Sequence, residues 1–169
     1  MTTVRAAFGP ILALALAFAV PLGAGAQAVP GSPQSVLNSL TNTYFTAVNA
    51  ADGQALASAT SSRFHVILPD GKTLSFGDFV GRLSEKYLNA STPVLTVKIG
   101  AVAIAATTAT TTVETSSWDY RFGGAPHGWD RRDRVLERDY ATHRLSWIKS
   151  ADGAWLLDED HLTSAAHWP

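Results

Sequence analysis

The stretch NTYFTAVNAADGQALASATSSRFHVILPDG, residues 42–71, decides the fold of this chain. It predicts the end of one helix, a short second helix over 54–60, a strand over 64–68, and a tight turn at Pro69-Asp70-Gly71. The rest of the chain is typical of a sheet that folds back over these helices.

A first helix is predicted to begin just before this stretch and to end near Ala50. Ser32 is a suitable capping residue, and Pro33 suits the first helical position. The apolar side chains recur at spacings of three and four residues, which predicts one buried stripe on this helix. The stripe consists of Val36, Leu40, Tyr44, Ala47 and Val48.

Downstream of the turn the apolar period changes from that of a helix to that of a strand. Ser75 is predicted to cap a third helix over 76–89, and alternation begins at Val94. Helices followed by an antiparallel meander predict an α+β fold, a cone-shaped curved antiparallel sheet wrapped around the N-terminal helix with two further helices. The mouth of such a cone is a natural ligand site. The predicted strands cover 94–104, 107–122, 131–148 and 154–164.

Residues 1–28 have the pattern of a signal peptide, cleaved after Ala26 or Ala28. The apolar run over 11–20 is too short to span a bilayer. The alternative, a buried N-terminal helix, is disfavoured because this run has no polar face. We therefore expect an exported protein, periplasmic or secreted, with no membrane contact after cleavage. Residues 29–34 are a linker, and 35–169 form a single domain.

Composition excludes several kinds of site. The sequence has no cysteine, which excludes thiol catalysis and cysteine-based metal sites. Loss of Arg5 with the leader changes the formal net charge from −1 to −2, which gives no reason to expect nucleic acid as a partner. The sequence contains no phosphate loop or dinucleotide fingerprint, so we expect no cofactor.

Three motifs carry a resemblance to a known family. They are Tyr44-x4-Asn49-x2-Asp52, the Pro69-x-Gly71 turn, and a C-terminal hairpin that ends in Asp160-His161-Leu-Thr. In order and spacing, residues 35–164 resemble the nuclear transport factor 2-like superfamily, and in particular its SnoaL-like branch. The resemblance implies the cone-shaped fold and a homodimer.

The ketosteroid isomerase branch of that superfamily uses a helical tyrosine, a carboxylate base before the Pro-x-Gly turn, and a second acid on a late strand. Tyr44 matches the tyrosine, but the base position is Leu68, which cannot accept a proton. The second acid falls on His143 by strand parity. Isomerase activity of this type is therefore not expected.

The remaining polar candidates are Tyr44, His143, Asp160 and His161. Tyr44 and His143 would be hydrogen-bond donors in the cavity, although each could instead be a satisfied core residue. A carboxylate beside a histidine can orient an imidazole as a general base, as in a dehydratase or cyclase. Metal binding by the histidines is conceivable but not required by their spacing. The apolar ligand-binding residues are expected to be Val66, Leu68, Leu83, Trp118, Tyr120 and Leu145.

Four further expectations concern the faces and edges of the predicted strands. Asp158 and Asp160 should share one face, with Glu159 and His161 on the other, and His65 should lie on the outer surface. Trp118, Tyr120 and Phe122 should share one strand face and could line the cavity, pack against the third helix, or pair subunits. The charged segment 130–139 could bind anions, but it fits better as a strand edge guarded against aggregation.

Two classes of function remain open. The first is an exported module that binds a small apolar molecule, or a non-catalytic accessory or dimerisation domain. The second is a cofactor-independent lyase or isomerase that acts on a small hydrophobic carbonyl or hydroxyl compound. The leucine at position 68 favours the first.

Overall fold

The structure is a computed structural model, and it describes residues 31–87, 94–122 and 134–168. The expected signal peptide over 1–28 lies outside these residues. Among the helices described, none is both long enough and apolar enough to cross a membrane. Within the described ranges, the side chains at 85–87, 94, 118–122, 134–137, 167 and 168 are not described.

Two helices open the domain, α1 (Pro33–Ala50) and α2 (Gly53–Ala59). The Ser32 side chain accepts a hydrogen bond from the Ser35 backbone N–H, so the predicted cap is confirmed. Ala51 ends α1 in the left-handed region, and the Asp52 carboxylate accepts from the first backbone N–H groups of α2. The Asp52-Gly53 break therefore ends one helix and begins the next.

A strand, a turn and a short second strand follow, β1 (Thr60–Ile67) and β2 (Thr73–Ser75). The Gly71 N–H donates to the Leu68 carbonyl at 2.9 Å, and Gly71 has a φ of +82°, which a side chain would disfavour. The helix α3 (Phe76–Tyr87) comes next. Its cap is reciprocal: Ser75 Oγ accepts from the Asp78 N–H, and the Asp78 carboxylate accepts from Ser75.

The last four strands are β3 (Val94–Ile104), β4 (Thr108–Phe122), β5 (Arg134–Lys149) and β6 (Trp155–Trp168). Together with β1 and β2 they form a curved, unclosed sheet in the order β2-β1-β6-β5-β4-β3. The α+β prediction is confirmed, with α1 packed against the sheet. The sheet is mixed rather than purely antiparallel, because β1 pairs with β6 in parallel. Alternation along a strand does not reveal the direction of a neighbour almost a hundred residues away.

Two irregularities in β6 set which side chains point inward. The register against β5 shifts so that neither Asp158 nor Thr163 has an opposite residue. Leu157 and Asp160, three residues apart, therefore both face the core. The expectation that Asp158 shares the face of Asp160 is wrong, because the bulge at Asp158 reverses the alternation. Asp158 instead bonds to Ser61 and Arg63.

The core lies between α1, α2 and the inner face of the sheet. Trp147 is fully buried, and its indole N–H donates to the buried Thr111 hydroxyl at 3.2 Å. On β5, Leu145 and Trp147 share one face with His143, as strand parity predicts. The other large core side chains are Leu37, Tyr44, Phe45, Leu56, Phe64, Val66, Val113 and Leu157.

Candidate functional site

A buried carboxylate connects the first helix to the late strands. Asp160 on β6 is 2% exposed. Its Oδ2 accepts a hydrogen bond from the Tyr44 hydroxyl at 2.8 Å, and its Oδ1 lies 2.8 Å from His143 Nδ1. A carboxylate can only accept, so Nδ1 of the imidazole carries the proton. Both oxygens of a group that is costly to bury are thus satisfied.

Tyr44 acts in this network as a donor. It lies on the buried stripe of α1, has no exposed surface, and packs edge-to-face against Phe45 and Phe64. Burial raises the pKa of its hydroxyl well above the ordinary value, and the neighbouring Asp160 carboxylate raises it further. The tyrosine therefore remains protonated at neutral pH and cannot serve as a base.

The two ring nitrogens of His143 contact different strands: Nδ1 contacts Asp160 on β6, and Nε2 contacts Thr115 on β4. Its Nε2 lies 3.2 Å from the Thr115 hydroxyl on β4, and its ring packs edge-to-face on Phe45 at 4.9 Å between centroids. In the neutral imidazole with its proton on Nδ1, Nε2 is the acceptor and Thr115 donates to it. The Thr115 hydroxyl has a second acceptor, the Ala141 carbonyl at 3.5 Å. Rotation of this hydroxyl toward that carbonyl would free Nε2.

A cavity of about 160 Å³ lies beside the imidazole, and we call it the His143 cavity. Tyr44 and Asp160 do not line it. Apolar side chains from α1, α3 and β3 form its walls, and residues of β4 and β5 form its floor. The lining consists of Phe45, Val48, Asn49, Leu83, Leu95, Thr115, Ser117, Asp139, Ala141 and His143.

The floor of the His143 cavity follows from the strand register. Thr115 lies opposite Ala141, and Ser117 lies opposite Asp139. Alternate residues of β5 face the cavity, so His143 marks one end of the row and Asp139 the other. The cavity therefore offers an imidazole at one end, a carboxylate at the other and a mostly apolar middle.

Solved structures of other proteins share this architecture at low sequence identity. A conserved protein from Planctomyces limnophilus DSM 3776 matches with a TM-score of 0.65 at 12% identity, over 80% of this chain and 97% of that one. A nuclear transport factor 2-like protein from Cytophaga hutchinsonii ATCC 33406 matches with a TM-score of 0.58 at 16% identity, over 79% and 98% of the two chains. This chain has the nuclear transport factor 2-like fold.

A candidate scytalone dehydratase from Novosphingobium aromaticivorans DSM 12444 has the same nuclear transport factor 2-like fold. Its TM-score is 0.61 at 11% identity, over 80% of this chain and 87% of that one. No family model matches the sequence, and no curated protein matches it. The comparisons therefore show the fold, and the chemistry has to be argued from the residues of this chain.

Within the nuclear transport factor 2-like fold, the position before the Pro-x-Gly turn is Leu68. It is partly buried and packs against the core. Asp70, inside the turn, bonds to the Lys72 backbone and ammonium group, and these contacts lower the pKa of its carboxyl. It is a turn residue and half-exposed. Neither residue supplies a base to the His143 cavity.

The six apolar residues expected at the ligand are distributed over different places. Leu83 lines the His143 cavity. Val66 and Leu145 are fully buried among core side chains. The side chains of Trp118 and Tyr120 lie outside the described part of the chain. Of the described members of this set, only Leu83 is among the residues that line the His143 cavity.

The fourth polar candidate, His161, lies on the opposite face of the sheet from Asp160. Its Nδ1 is 3.2 Å from the Arg144 guanidinium. In the core, the carboxylate of Asp160 therefore pairs with the imidazole of His143 on the adjacent strand. It does not pair with His161, its neighbour in the sequence. Within the described residues, no group of three or more histidine and carboxylate side chains could hold a metal ion.

Much of the charged segment 130–139 lies outside the described residues. At Arg138 and Asp139, β5 is paired on both sides, with β4 and with β6. The interpretation of this segment as a guarded strand edge is therefore wrong at these two residues. The prediction for His65 holds, because it lies with Glu159 on the outer face, 3.5 Å from its carboxylate.

Of the ten residues that line the His143 cavity, sequence reasoning assigned Leu83 and His143 to a site and missed the other eight, among them Thr115 and Asn49. Thr115 is one of many threonines on β4, and only the register places it beside His143. Asn49 forms part of the quoted helical motif, and the helical period carried a signal for it. It lies four residues after Phe45, so the two share one face of α1.

Proposed function

We propose that this domain binds a small, mostly apolar molecule in the His143 cavity. The observation that carries the proposal is a cavity with apolar walls and one buried, oriented imidazole at its end. A volume of about 160 Å³ compares with about 150 Å³ for an engineered protein cavity that holds benzene. The ligand is therefore of the size of a single six-membered ring.

The imidazole gives the ligand a defined orientation. Asp160 holds the ring of His143 through Nδ1, and Phe45 packs edge-to-face against the same ring. A ligand hydroxyl could donate to Nε2 once the Thr115 hydroxyl turns to the Ala141 carbonyl. A ligand carbonyl could instead accept from Thr115. Because the imidazole is already held, such a hydrogen bond requires only the Thr115 hydroxyl to reorient on the protein side.

The test is native mass spectrometry of the protein purified from its own host, followed by extraction of any retained molecule. Ala141→Leu should fill the His143 cavity and abolish the adduct. Ala103→Leu places the same side chain at an exposed position on β3 and should retain it. Equal adducts in both variants, or an adduct that survives Ala141→Leu, would contradict binding in this cavity.

The same experiment addresses two further proposals that rest on the sequence. We propose that the chain is exported after cleavage near Ala26 or Ala28, and that it assembles as a homodimer. The mass of the mature chain reports the cleavage site, and the mass of the native particle reports the number of subunits. A full-length monomer would contradict both.

A second candidate function rests on the Asp160–His143 pair. A carboxylate that holds Nδ1–H leaves Nε2 able to accept a proton from a bound molecule. This is the arrangement of a general base, and it would serve a cofactor-independent lyase or isomerase. The protonated Tyr44 would support the carboxylate and would not touch the ligand.

Catalysis can be separated from binding by isotope exchange on the retained molecule. In D₂O, abstraction of a carbon-bound proton by Nε2 and return of a deuteron from solvent should introduce deuterium at carbon, and His143→Gln should stop this exchange. Ligand that stays bound to the wild-type protein without taking up deuterium would contradict the general-base function and leave binding in place.

A further inference from the structure

One side chain of the His143 cavity contains a polar atom without a described partner. The Asn49 Oδ1 is buried, and no hydrogen bond to it occurs among the described residues. A buried amide oxygen without a partner destabilises a protein, because it loses its bonds to water and gains none. Such an atom can gain a hydrogen bond from a bound molecule only where a cavity lies beside its side chain.

The position of Asn49 relates this atom to the cavity. It lies in the last turn of α1, and it lines both the His143 cavity and an adjoining recess of about 280 Å³ formed with Asn42, Thr46, Leu95 and Val97. Phe45, one turn earlier on the same face, is the residue that packs against the His143 ring. Asn49 is therefore about 6 Å further along the helix from that contact.

We propose that Asn49 determines which molecule binds: its amide turns about the last side-chain torsion to bring Oδ1 to the cavity, where it accepts a hydrogen bond from a hydroxyl at the end of the ligand remote from His143. This inference rests on the proposed binding function. It narrows the ligand class to a small ring compound with two polar substituents at opposite ends, one for the imidazole and Thr115, the other for the amide. The apolar walls from Val48, Leu83 and Leu95 would enclose the ring between them.

The chain contains a matched control for this proposal. Asn38 also lies on α1, and its Oδ1 is likewise buried without a partner among the described residues. It does not line the His143 cavity. Removal of either amide should raise the melting temperature of the ligand-free protein, but only removal of Asn49 should change what binds.

The experiment measures the affinities of three ring probes, benzene, phenol and hydroquinone, by NMR titration of the full mature chain. For the wild type we expect hydroquinone to bind about tenfold more tightly than phenol, since one well-placed hydrogen bond contributes roughly that factor. Asn49→Leu should lower the affinity for hydroquinone about tenfold and leave that for phenol within about twofold. Asn38→Leu should change neither, and Asn49→Ala provides a second variant if the leucine does not fold.

The outcomes separate the two proposals. If benzene or phenol binds but hydroquinone has no advantage, or if Asn49→Leu weakens phenol and hydroquinone equally, the role of Asn49 is refuted and the binding function stands. If none of the three probes binds to the wild type, both the role of Asn49 and the binding of single-ring molecules are refuted.

Discussion

Asp160 and Glu159 are adjacent on β6, yet the structure places them in opposite environments. Asp160 faces inward, where it holds two hydrogen bonds of 2.8 Å to Tyr44 and His143. Glu159 faces outward, 3.5 Å from His65 and 4.0 Å from Arg144. The side chain of Asp160 is 3% exposed and that of Glu159 is 23% exposed. Among the described residues, a carboxylate therefore pairs with a histidine both in the core and in contact with water.

The comparison shows that burial, more than residue type, decides what a polar cluster contributes. Water competes for the hydrogen bonds of the outer pair, Glu159 and His65, and screens their interaction. The pair therefore contributes little to the free energy of unfolding. The inner groups cannot turn to water, so removal of any one leaves its partners unsatisfied. A network of that kind fixes side-chain positions, which is what a binding site or a catalytic base requires.

The largest expected effect is that of Asp160→Ala. It leaves the Tyr44 hydroxyl and the His143 Nδ1–H buried without an acceptor, and we expect a loss of about 3–5 kcal/mol in the free energy of unfolding. Urea denaturation of the mature protein measures it. A loss below about 1 kcal/mol would show that water reaches the network. The buried Asp160 and the outer Glu159 would then not differ in their contribution to the free energy of unfolding.

A smaller effect is expected from Tyr44→Phe, which keeps the ring and removes the hydrogen bond to a charged group. At neutral pH we expect a loss of about 1.5–3 kcal/mol in unfolding free energy. The pKa of Tyr44 is raised in the folded state, so this stabilisation is complete below about pH 10, the unfolded value, and disappears as the pH rises toward the folded value.

Urea titrations at about pH 8 and about pH 11, on either side of the ordinary tyrosine value, test the sign of this dependence. The difference in unfolding free energy between wild type and Tyr44→Phe should narrow at the higher pH. Tyr140→Phe, at a position 46% exposed, is the control for loss of a surface tyrosine hydroxyl and should change the unfolding free energy at about pH 8 by no more than about 0.5 kcal/mol. A difference that widens with pH would contradict the protonated, buried hydroxyl.

The smallest effect is expected on the outer face. Glu159→Ala removes a carboxylate that interacts with His65, Arg144 and Ser146 at 3.5–4.0 Å. We expect a change within about 1 kcal/mol, and less in high salt because ions screen the pair. A loss as large as that of Asp160→Ala would remove the distinction on which the site assignment depends.

Local signals in the sequence predicted most of the architecture. The Ser32-Pro33 start, the Ser75 cap and the Pro69-Asp70-Gly71 turn depend on neighbouring residues alone, and all three form as predicted. The period-two pattern placed β3 to within a residue and put His143 on the buried face of β5. Such features need no knowledge of distant partners.

The remaining features depend on pairings between distant segments. The parallel contact of β1 with β6 and the bulge at Asp158 arise when strands meet, and no pattern within either strand encodes them. The bulge separates Asp158 from Asp160, and the cross-strand pairing joins Asp160 to His143 rather than to His161. The unpartnered oxygen of Asn49 is likewise visible only after packing.

The central claim is that a small molecule binds beside His143 and not elsewhere on the sheet. Its most direct test is an NMR titration of the mature protein with phenol at fixed pH, which follows the ¹⁵N and ¹H signals of the histidine rings. We predict a saturable shift at His143, absent in Ala141→Leu, with the signals of His65 and His161 unchanged. No shift at His143, or equal shifts at the inner and outer histidines, would contradict the claim.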